Sequence, residues 1–409
     1  MRRAFKFLLR PTARQATALT AMLDDHRALY NAALQERRDA YRHPSKVTVR
    51  YGDQSAQLRE IRACDPDQGR WSFSSQQATL RRLDRAFAGF FRRVKAGETP
   101  GYPRFRGAGR FDTVEWPRDG DGCRWNSQPE HPTRTRTRTR TRTRVRVRLQ
   151  GVGHVKVHQH RPVAGTVRTV SVKREGRRWY VVLSCDDVPA RPLPATGVAV
   201  GVDMGAASLV TLSDGRQVGN PRFLAAAAGR LARAQRELAR KKRGSTRRRK
   251  TVAKVAALHR RVRRQRLDLA HTVARDLVRD HDLIAVEALR IVNMTRRAAP
   301  RPDPDRLGAF LANGQAAKPG LNRSVLDAGW GVFLAVLRAK AESAGRVVVE
   351  VNPANTSRTC AVCGHCHADS RRTQAAFVCV ACGHAAHADV NAAINILRVG
   401  LARQGAEAA

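Results

Sequence analysis

Two Cys-x₂-Cys pairs near the carboxyl end constrain the fold of this chain more than any other feature. The pairs are separated by fifteen residues and consist of Cys360, Cys363, Cys379 and Cys382. A glycine follows each pair, which suits the tight turn of a metal-binding knuckle. Four thiolates at this spacing predict a tetrahedral site for a structural Zn²⁺ ion.

The distribution of the eight cysteines indicates a metal site and not a disulfide framework. Five of them fall between Cys360 and Cys382, and the other three are isolated along the chain. Crowding of this kind is typical of zinc-binding modules. Three residues between the pairs are alternative members of the ligand set, namely His365, Cys366 and His367.

A large positive charge is the second constraint. The chain has 77 Lys+Arg against 34 Asp+Glu, a formal net charge of +43. Such an excess repels itself unless a polyanion neutralises it, which favours nucleic acid first and an anionic membrane second. No run approaches the roughly 18 apolar residues of a membrane span, and Lys6, Arg10 and Pro11 interrupt any signal-peptide core. We therefore expect nucleic-acid partners, no membrane insertion, and a cytoplasmic, nucleoid-associated location.

The amino-terminal segment has the period of a strand and then of helices. Residues 3–9 predict a strand, and apolar positions at helical spacing predict a helix from Thr12 to about His43. A second helix begins after Ser74 or Ser75 and has arginines around an apolar stripe. Those arginines suit a phosphate backbone, although a solvated face explains them equally well.

Beyond the second helix the pattern changes to that of loops and strands. The glycine- and proline-rich segment 97–107 predicts a loop or domain junction. Alternating runs within 145–185 predict a small antiparallel sheet or barrel. Between them, residues 133–144 are a pure Thr-Arg repeat, to which we assign no specific role.

The carboxyl-terminal half combines strands and helices. The segments GVAVGVDMG and ASLVTLSDG predict a hairpin, and residues 223–280 are largely helical. Within 240–264 there are 13 Lys or Arg and no acid, so we expect this stretch to lie against RNA or DNA. Two apolar strands, DLIAVEAL and RVVVEVN, flank a helix predicted over 324–345.

Three carboxylates occupy strand or helix ends in this half. Asp203 closes an apolar strand, Glu287 closes another, and Asp389 begins the helix DVNAAINIL. A charge at the end of a buried strand costs desolvation free energy unless it is paired or binds a cation. Three such groups together would hold two Mg²⁺ ions and hydrolyse a phosphodiester. A lone carboxylate of this kind is usually structural, so the hypothesis depends on all three.

Several blocks of the sequence resemble one family. GVDMG, IAVEALRIVNM, NTSRTCAVCG, FVCVACG and HADVNAAINIL look like the TnpB (OrfB) proteins of insertion sequences, relatives of type V CRISPR effectors. The resemblance extends over nearly the whole chain, with the Thr-Arg repeat as its main departure. A second departure is His387 and Ala388, where the family often has an acid and an arginine.

The resemblance implies an RNA-guided DNA endonuclease associated with a transposon. Such proteins bind a guide RNA from the transposon end, recognise a short target-adjacent motif in double-stranded DNA, and cut both strands at a RuvC-like site of ribonuclease H fold. The family's Mg²⁺-binding triad falls on Asp203, Glu287 and Asp389, and its zinc ligands on the four paired cysteines. We expect one protein chain in the complex.

The fold class implied is multidomain α/β, with a RuvC-like nuclease domain that contains a zinc-binding insertion and a small β-barrel domain that contains a helical insertion. The expected ranges are 1–9 and 100–195 for the β-barrel (wedge-like) domain, 10–99 for the helical recognition domain, 196–354 and 386–400 for the nuclease domain, 355–385 for the zinc ribbon and 401–409 for a tail.

Three other classes of function remain open. A nuclease-inactive, RNA-guided DNA-binding regulator would have the same charge and zinc site but should lack a carboxylate. A strand-transfer transposase or a transposase accessory protein is another class. The pair His158 and His160 resembles the metal ligands of a tyrosine-nucleophile transposase, but no helix with a suitable tyrosine follows, so we interpret both as strand residues. A simple nucleic-acid-binding protein would not account for the three carboxylates.

Overall fold

The chain divides into two units, Met1–Pro189 and Ala190–Ala409, in a computed structural model. Residues with a described placement are 1–126, 145–306 and 308–408. The Thr-Arg repeat of residues 133–144 lies outside these ranges. Within them, no helix is long and apolar enough to cross a membrane.

A seven-stranded antiparallel sheet forms the first unit, as the alternating runs predict. Its strand order is β2-β6-β7-β1-β5-β4-β3. The strands are β1 (Arg3–Arg10), β2 (Thr113–Trp116), β3 (Cys123–Trp125), β4 (Arg146–Leu149), β5 (Gly153–His158), β6 (Thr166–Glu175) and β7 (Arg178–Asp186). Every pairing between them is antiparallel.

Four helices belong to the same unit, namely α1 (Ala13–Arg42), α2 (Tyr51–Cys64), α3 (Pro66–Gly69) and α4 (Phe73–Lys95). α1 agrees with the helix predicted from Thr12 to about His43, and Thr12 is its N-cap. The cap of α4 is Ser72, whose hydroxyl accepts from the backbone N–H of Ser75, so the prediction of Ser74 or Ser75 as the cap was wrong. Serine is a favoured N-cap residue at each of the three positions, and the helix begins after the first of them.

The helices and the sheet of this unit share one hydrophobic core. Its fully buried side chains come from both, including Phe7 of β1, Tyr30 of α1 and Trp116 of β2. His26 lies inside this core, where its Nδ1 donates to the Met22 carbonyl oxygen at 2.8 Å. Burial lowers the pKa of His26 to about 4, so this histidine is a neutral core residue.

A five-stranded mixed sheet forms the centre of the second unit, in the order β10-β9-β8-β11-β12. Its strands are β8 (Ala199–Asp203), β9 (Ser208–Leu212), β10 (Gln217–Gly219), β11 (Leu283–Glu287) and β12 (Val347–Val351). β11 runs parallel to both β8 and β12. β8 and β9 pair antiparallel, which confirms the predicted hairpin.

The helices of the second unit are α5 (Phe223–Ala239), α6 (Thr246–Asp280), α7 (Ile291–Met294), α8 (Lys318–Ala328), α9 (Trp330–Ala344) and α10 (Ala388–Ala408). The single helix predicted over 324–345 was wrong, because Gly329 adopts a φ of 74° and separates α8 from α9. Such a left-handed glycine ends one helix, and the next begins directly after it.

A small module, which we call the cysteine module, lies between β12 and α10. It contains the 3₁₀ turn Ala368–Ser370 and the antiparallel strands β13 (Ala376–Val378) and β14 (Ala385–His387). The buried side chains of Cys360, Phe377 and Cys379 form its core together with Ala388 at the start of α10. The module is therefore continuous with that helix.

Helix α10 lies directly on the sheet, at positions where only glycine leaves room. A Cβ atom added to Gly201 of β8 would lie 2.0 Å from the Ala393 carbonyl oxygen, and one added to Gly400 would lie 2.5 Å from Ala285 Cβ of β11. Real Cβ atoms do not approach backbone so closely. The helix axis can therefore lie closer to the strands than side chains would permit.

We expect Gly201→Ala to destabilise the second unit by about 2 kcal/mol or more, because the methyl group forces α10 away from β8. Urea unfolding of the full chain measures this change. Gly219→Ala in β10 is the matched control, since no heavy atom lies within 4 Å of the added Cβ. Equal stability of the two variants would contradict the close packing of α10.

Candidate metal centres

Asp203 and Glu287 end two neighbouring parallel strands. β8 and β11 pair in register, with Val202 opposite Val286, so the two acidic residues leave the sheet at the same edge. Three of the five residues of β8 and all five of β11 are buried, which fixes the backbone of each carboxylate. The side chain of Glu287 is itself buried.

Asp389 reaches the same edge from helix α10, where it lies in the first turn. Its carboxylate approaches the loop that follows Asp203, since a Cβ atom on Gly205 would lie 3.8 Å from Asp389 Oδ2. Asp389 is 7% exposed. The structure thus brings together three acidic residues that are distant in the sequence.

The electrostatics of this edge show that the three carboxylates interact. Burial raises the pKa of Asp203 to about 7, with further increases from the carboxylates of Glu287 and Asp389, whereas Arg371 lowers it. Burial also raises the pKa of Glu287, and the Thr356 hydroxyl and Arg371 oppose this shift. A buried group of mutually repelling carboxylates favours a bound cation.

Arg371 is one of two residues of this site that the sequence pattern does not reveal. One guanidinium nitrogen, Nη2, donates to Asp389 Oδ1 at 3.0 Å and to the Gln374 carbonyl oxygen at 3.1 Å. Arg371 lies in the cysteine module, next to the exposed Arg372. No periodicity in the sequence distinguishes these two arginines. Only the folded module shows which arginine faces the carboxylates.

A buried threonine, Thr356, also escaped the sequence reasoning. Its hydroxyl donates to Glu287 Oε1 at 2.7 Å, which fixes one oxygen of that carboxylate. The side-chain amide of Asn395 on α10 donates to the Thr356 carbonyl oxygen at 3.0 Å. The segment after β12 therefore links Glu287 to the helix that carries Asp389.

A second asparagine of α10, Asn391, anchors the first cysteine knuckle. Its Oδ1 accepts from the backbone N–H of Ala361 at 2.8 Å, and its Nδ2 donates to the Thr359 carbonyl oxygen at 2.8 Å. Asn391 is fully buried. These bonds connect the helix directly to the residues on either side of Cys360.

The four paired cysteines converge within the module. Their sulfur atoms all lie within 4.8 Å of one another. The Sγ atoms of Cys360 and Cys382 are 3.7 Å apart, and those of Cys363 and Cys379 are 3.6 Å apart. Tetrahedral coordination with Zn–S bonds of about 2.3 Å requires separations of about 3.8 Å, so these sulfurs fit a Zn²⁺ ion.

The backbone around the two knuckles repeats the same hydrogen bonds. Cys360 N–H donates to His365 O at 2.9 Å, and Cys379 N–H donates to His384 O at 2.9 Å. Gly364 and Gly383 each donate to the first cysteine of their own pair at 3.0 Å. This repetition is what a site with two equivalent metal-binding turns requires.

The alternative ligands do not join this group. In the part of the chain that the structure describes, the four paired cysteines form the group of possible ligands within 4.8 Å of one another, and it includes none of His365, Cys366 and His367. Among the described residues, Asp203, Glu287 and Asp389 do not form a group within this 4.8 Å limit, so the three carboxylates lie further apart than the thiols.

A cavity of about 440 Å³ opens beside the loop that follows Asp203. Its lining includes Ala206 and Ala207 of that loop, Arg222 before α5, Arg323 of α8, and Gln374 of the cysteine module. The charged residues of the lining are these two arginines and the buried Asp327, which pairs with Arg266.

The basic stretch 240–264 forms the turn between α5 and α6 and the first half of α6. Glu237 of α5 binds two of its lysines, with Oε2 accepting from Lys254 at 3.0 Å and a shorter contact to Lys241. These pairs hold the turn in place. The predicted contact of this stretch with RNA or DNA stays a prediction.

Comparison with known proteins identifies the family. The OrfB_IS605 family, "Probable transposase", matches residues 170–298, and "Cas12f1-like, TNB domain" matches residues 330–396. "Putative RNA-guided DNA endonuclease InsQ" of Escherichia coli is 32% identical over 97% of this chain and 92% of its own length. The chain belongs to the TnpB (OrfB) family. This confirms the resemblance found in the sequence.

Two further similarities agree with this assignment. A "Putative RNA-guided DNA endonuclease" of Streptomyces pristinaespiralis is 32% identical over 98% of this chain and 90% of its own length. A solved Cas12f1–sgRNA–target DNA complex superimposes with a TM-score of 0.50 at 14% identity, over 92% of this chain and 81% of that one. The last similarity shows a related fold.

We expect Cys379→Ser to abolish zinc binding and to destabilise the module, because three thiolates cannot complete the tetrahedral site. Zinc content measured by mass spectrometry of the purified full chain, together with thermal unfolding, checks this. Cys366→Ser is the control, because Cys366 is exposed and lies outside the group of four. Loss of zinc from the Cys366→Ser variant would contradict the assigned ligand set.

Proposed function

We propose that this TnpB-family protein is an RNA-guided DNA endonuclease that hydrolyses phosphodiesters at the edge formed by Asp203, Glu287 and Asp389. The observation that supports it is the convergence of three carboxylates, buried or half-buried, at the ends of β8, β11 and the start of α10. Relatives across nearly its whole length are named as RNA-guided DNA endonucleases. A merely DNA-binding protein has no use for such a costly group of charges.

The donor set fits Mg²⁺, because carboxylate oxygens are the ligands that this ion prefers. Asp203, Glu287 and Asp389 would hold two ions. When bound, these ions activate a water and stabilise the leaving oxygen of a phosphodiester. Thr356 orients Glu287 through its hydroxyl, and Arg371 supplies positive charge beside Asp389. The cavity lined by Arg222 and Arg323 would position the strand to be cut.

We further propose the division of labour that the family implies. A guide RNA from the transposon end would pair with one strand of double-stranded DNA beside a short target-adjacent motif, and both strands would be cut at the same RuvC-like site. Pairing would supply sequence specificity while the protein contacts the backbone. We propose that the β-barrel, helical, nuclease and zinc-ribbon ranges expected from the sequence are the domains of this protein. One chain would act in each complex, in the cytoplasm and associated with the nucleoid.

We expect guide-dependent plasmid cleavage that requires Mg²⁺ and is abolished by Asp203→Ala. The rate should fall by at least about a hundredfold, since loss of one ligand disables the metal site. The measurement is cleavage by protein co-expressed with RNA from its own flanking locus, with Mg²⁺ or EDTA.

Asp214→Asn is the matched control for this experiment, because Asp214 is an exposed turn residue of the same sheet that pairs with Arg216. It should cut at the wild-type rate. Guide-dependent binding without cutting would instead favour the nuclease-inactive regulator. Cutting by Asp203→Ala at the wild-type rate would contradict the assigned site.

We expect Arg371→Ala to lower the maximal rate of cutting by about tenfold or more, because positive charge beside the reacting phosphate is lost. The Mg²⁺ concentration for half-maximal cutting should also fall, because Arg371 no longer competes for Asp389. A Mg²⁺ titration of the cleavage rate separates the two effects. Arg372→Ala, at the exposed neighbour, should change neither quantity, and an equal effect of both variants would refute a specific role for Arg371.

A further inference from the structure

The first unit presents a cluster of exposed aromatic rings that the core does not require. We call Phe90, Phe91, Tyr102 and Phe105 the aromatic surface. Phe91 is 59% exposed, Tyr102 42% and Phe105 43%, and Phe90 is partly exposed. Exposed aromatic rings that lie together are a costly arrangement in water, which indicates that another molecule covers them.

Three rings of the aromatic surface, Phe90, Phe91 and Tyr102, form a contact cluster at the end of α4 and the loop 97–107, and Phe105 lies on the same loop. Phe90 lies with its ring centroid 5.2 Å from that of Phe91 and 5.4 Å from that of Tyr102, both edge to face. Buried Phe87 lies 5.6 Å from Tyr102 and holds that ring from below. One face of Phe91 and Tyr102 is thereby supported while part of each ring remains exposed.

The loop that carries Tyr102 and Phe105 is fixed to α1. Asn31 of that helix donates to the Arg106 carbonyl oxygen at 3.0 Å and accepts from the Arg106 backbone N–H at 2.8 Å. The Arg38 guanidinium lies over the Phe105 ring, 5.3 Å from its centroid. The rings are thus held in position before any partner binds, which lowers the entropic cost of binding.

Positive charge surrounds these rings. Residues 81–106 contain eight Lys or Arg and two acids, of which Asp84 binds Arg37 of α1. Six exposed cations of this range have no acidic partner in the described ranges of the chain, and four of them follow Phe91 in the sequence, namely Arg92, Arg93, Lys95 and Arg104. Aromatic rings among unpaired cations suit a polyanion with planar bases, whereas an apolar protein partner would leave these charges desolvated.

We propose that the aromatic surface stacks on unpaired bases of the guide RNA while the neighbouring Arg92, Arg93, Lys95 and Arg104 contact its phosphates. The inference rests on the proposed function for the existence of that RNA and adds where the protein holds it. RNA is the occupant that the exposed rings favour, because its loops and ends present unpaired bases. Target DNA exposes unpaired bases only after the guide has paired with one of its strands, whereas the RNA presents its loops and ends before that step.

The test is binding of the full chain to RNA transcribed from its own flanking locus, over a series of salt concentrations. The variant combines Phe91→Leu, Tyr102→Leu and Phe105→Leu, which keep apolar bulk and remove the planar faces. Affinity should fall about tenfold for each ring that stacks. The slope of log Kd against log salt should stay unchanged, because no charge is lost.

Four further variants separate stacking from a loss of folding and from a loss of charge. Phe91→Leu alone is expected to fold normally and to lose about tenfold, and Phe91→Trp should bind as tightly as the wild type. Phe310→Leu removes a ring that is 65% exposed in the other unit and should not alter affinity. Arg92→Gln with Arg93→Gln should instead reduce the salt slope, since these residues contact phosphates.

Wild-type RNA affinity in Phe91→Leu and in the triple variant would overturn the inference. An equal loss of affinity for a fully paired RNA duplex would also overturn it, as would a loss confined to single-stranded DNA. Guided cutting by a triple variant with unchanged RNA affinity would contradict this inference alone. Ring-dependent RNA binding by a protein that does not cut would contradict only the nuclease proposal.

Discussion

The close packing of α10 on the central strands is the constraint on which the rest of the second unit depends. Gly201 and Gly400 let the helix lie against β8 and β11 with almost no space between backbones. This packing brings Asp389 to the edge where Asp203 and Glu287 leave the sheet. Strand pairing alone would bring together two carboxylates, and the third comes from a helix more than a hundred residues further along the chain.

The cysteine module and the segment that leads into it also hold Glu287 and the start of α10 in place. Asn391 and Asn395 of α10 bind backbone groups before and within the first knuckle, and Thr356 binds Glu287. Arg371 of the module partly neutralises the carboxylates and so reduces their mutual repulsion. A structural metal held by the four cysteines would therefore act on the acidic edge through its scaffold, without contacting it.

Much of this organisation follows from the sequence, because its main determinants are local. The β8–β9 hairpin, the helix after Thr12 and the convergence of the paired cysteines correspond to patterns of two to about thirty residues. Helix boundaries follow less directly from the sequence, because Gly329 lies within a continuous apolar pattern that predicts one helix. Arg371 and Thr356 could not be found in this way, because their roles depend on contacts between segments rather than on spacing. The aromatic surface was hidden for the same reason, since its rings belong to both a helix and a loop.

The most direct test of the central claim is the position at which a divalent cation binds. Crystals of the wild type and of Asp389→Asn, each with Mn²⁺ in place of Mg²⁺, would show the ions by anomalous scattering. The wild type should show Mn²⁺ between Asp203, Glu287 and Asp389, and the variant should lose that density while α10 stays in place. Mn²⁺ bound elsewhere, or bound at this edge equally in both proteins, would contradict the account.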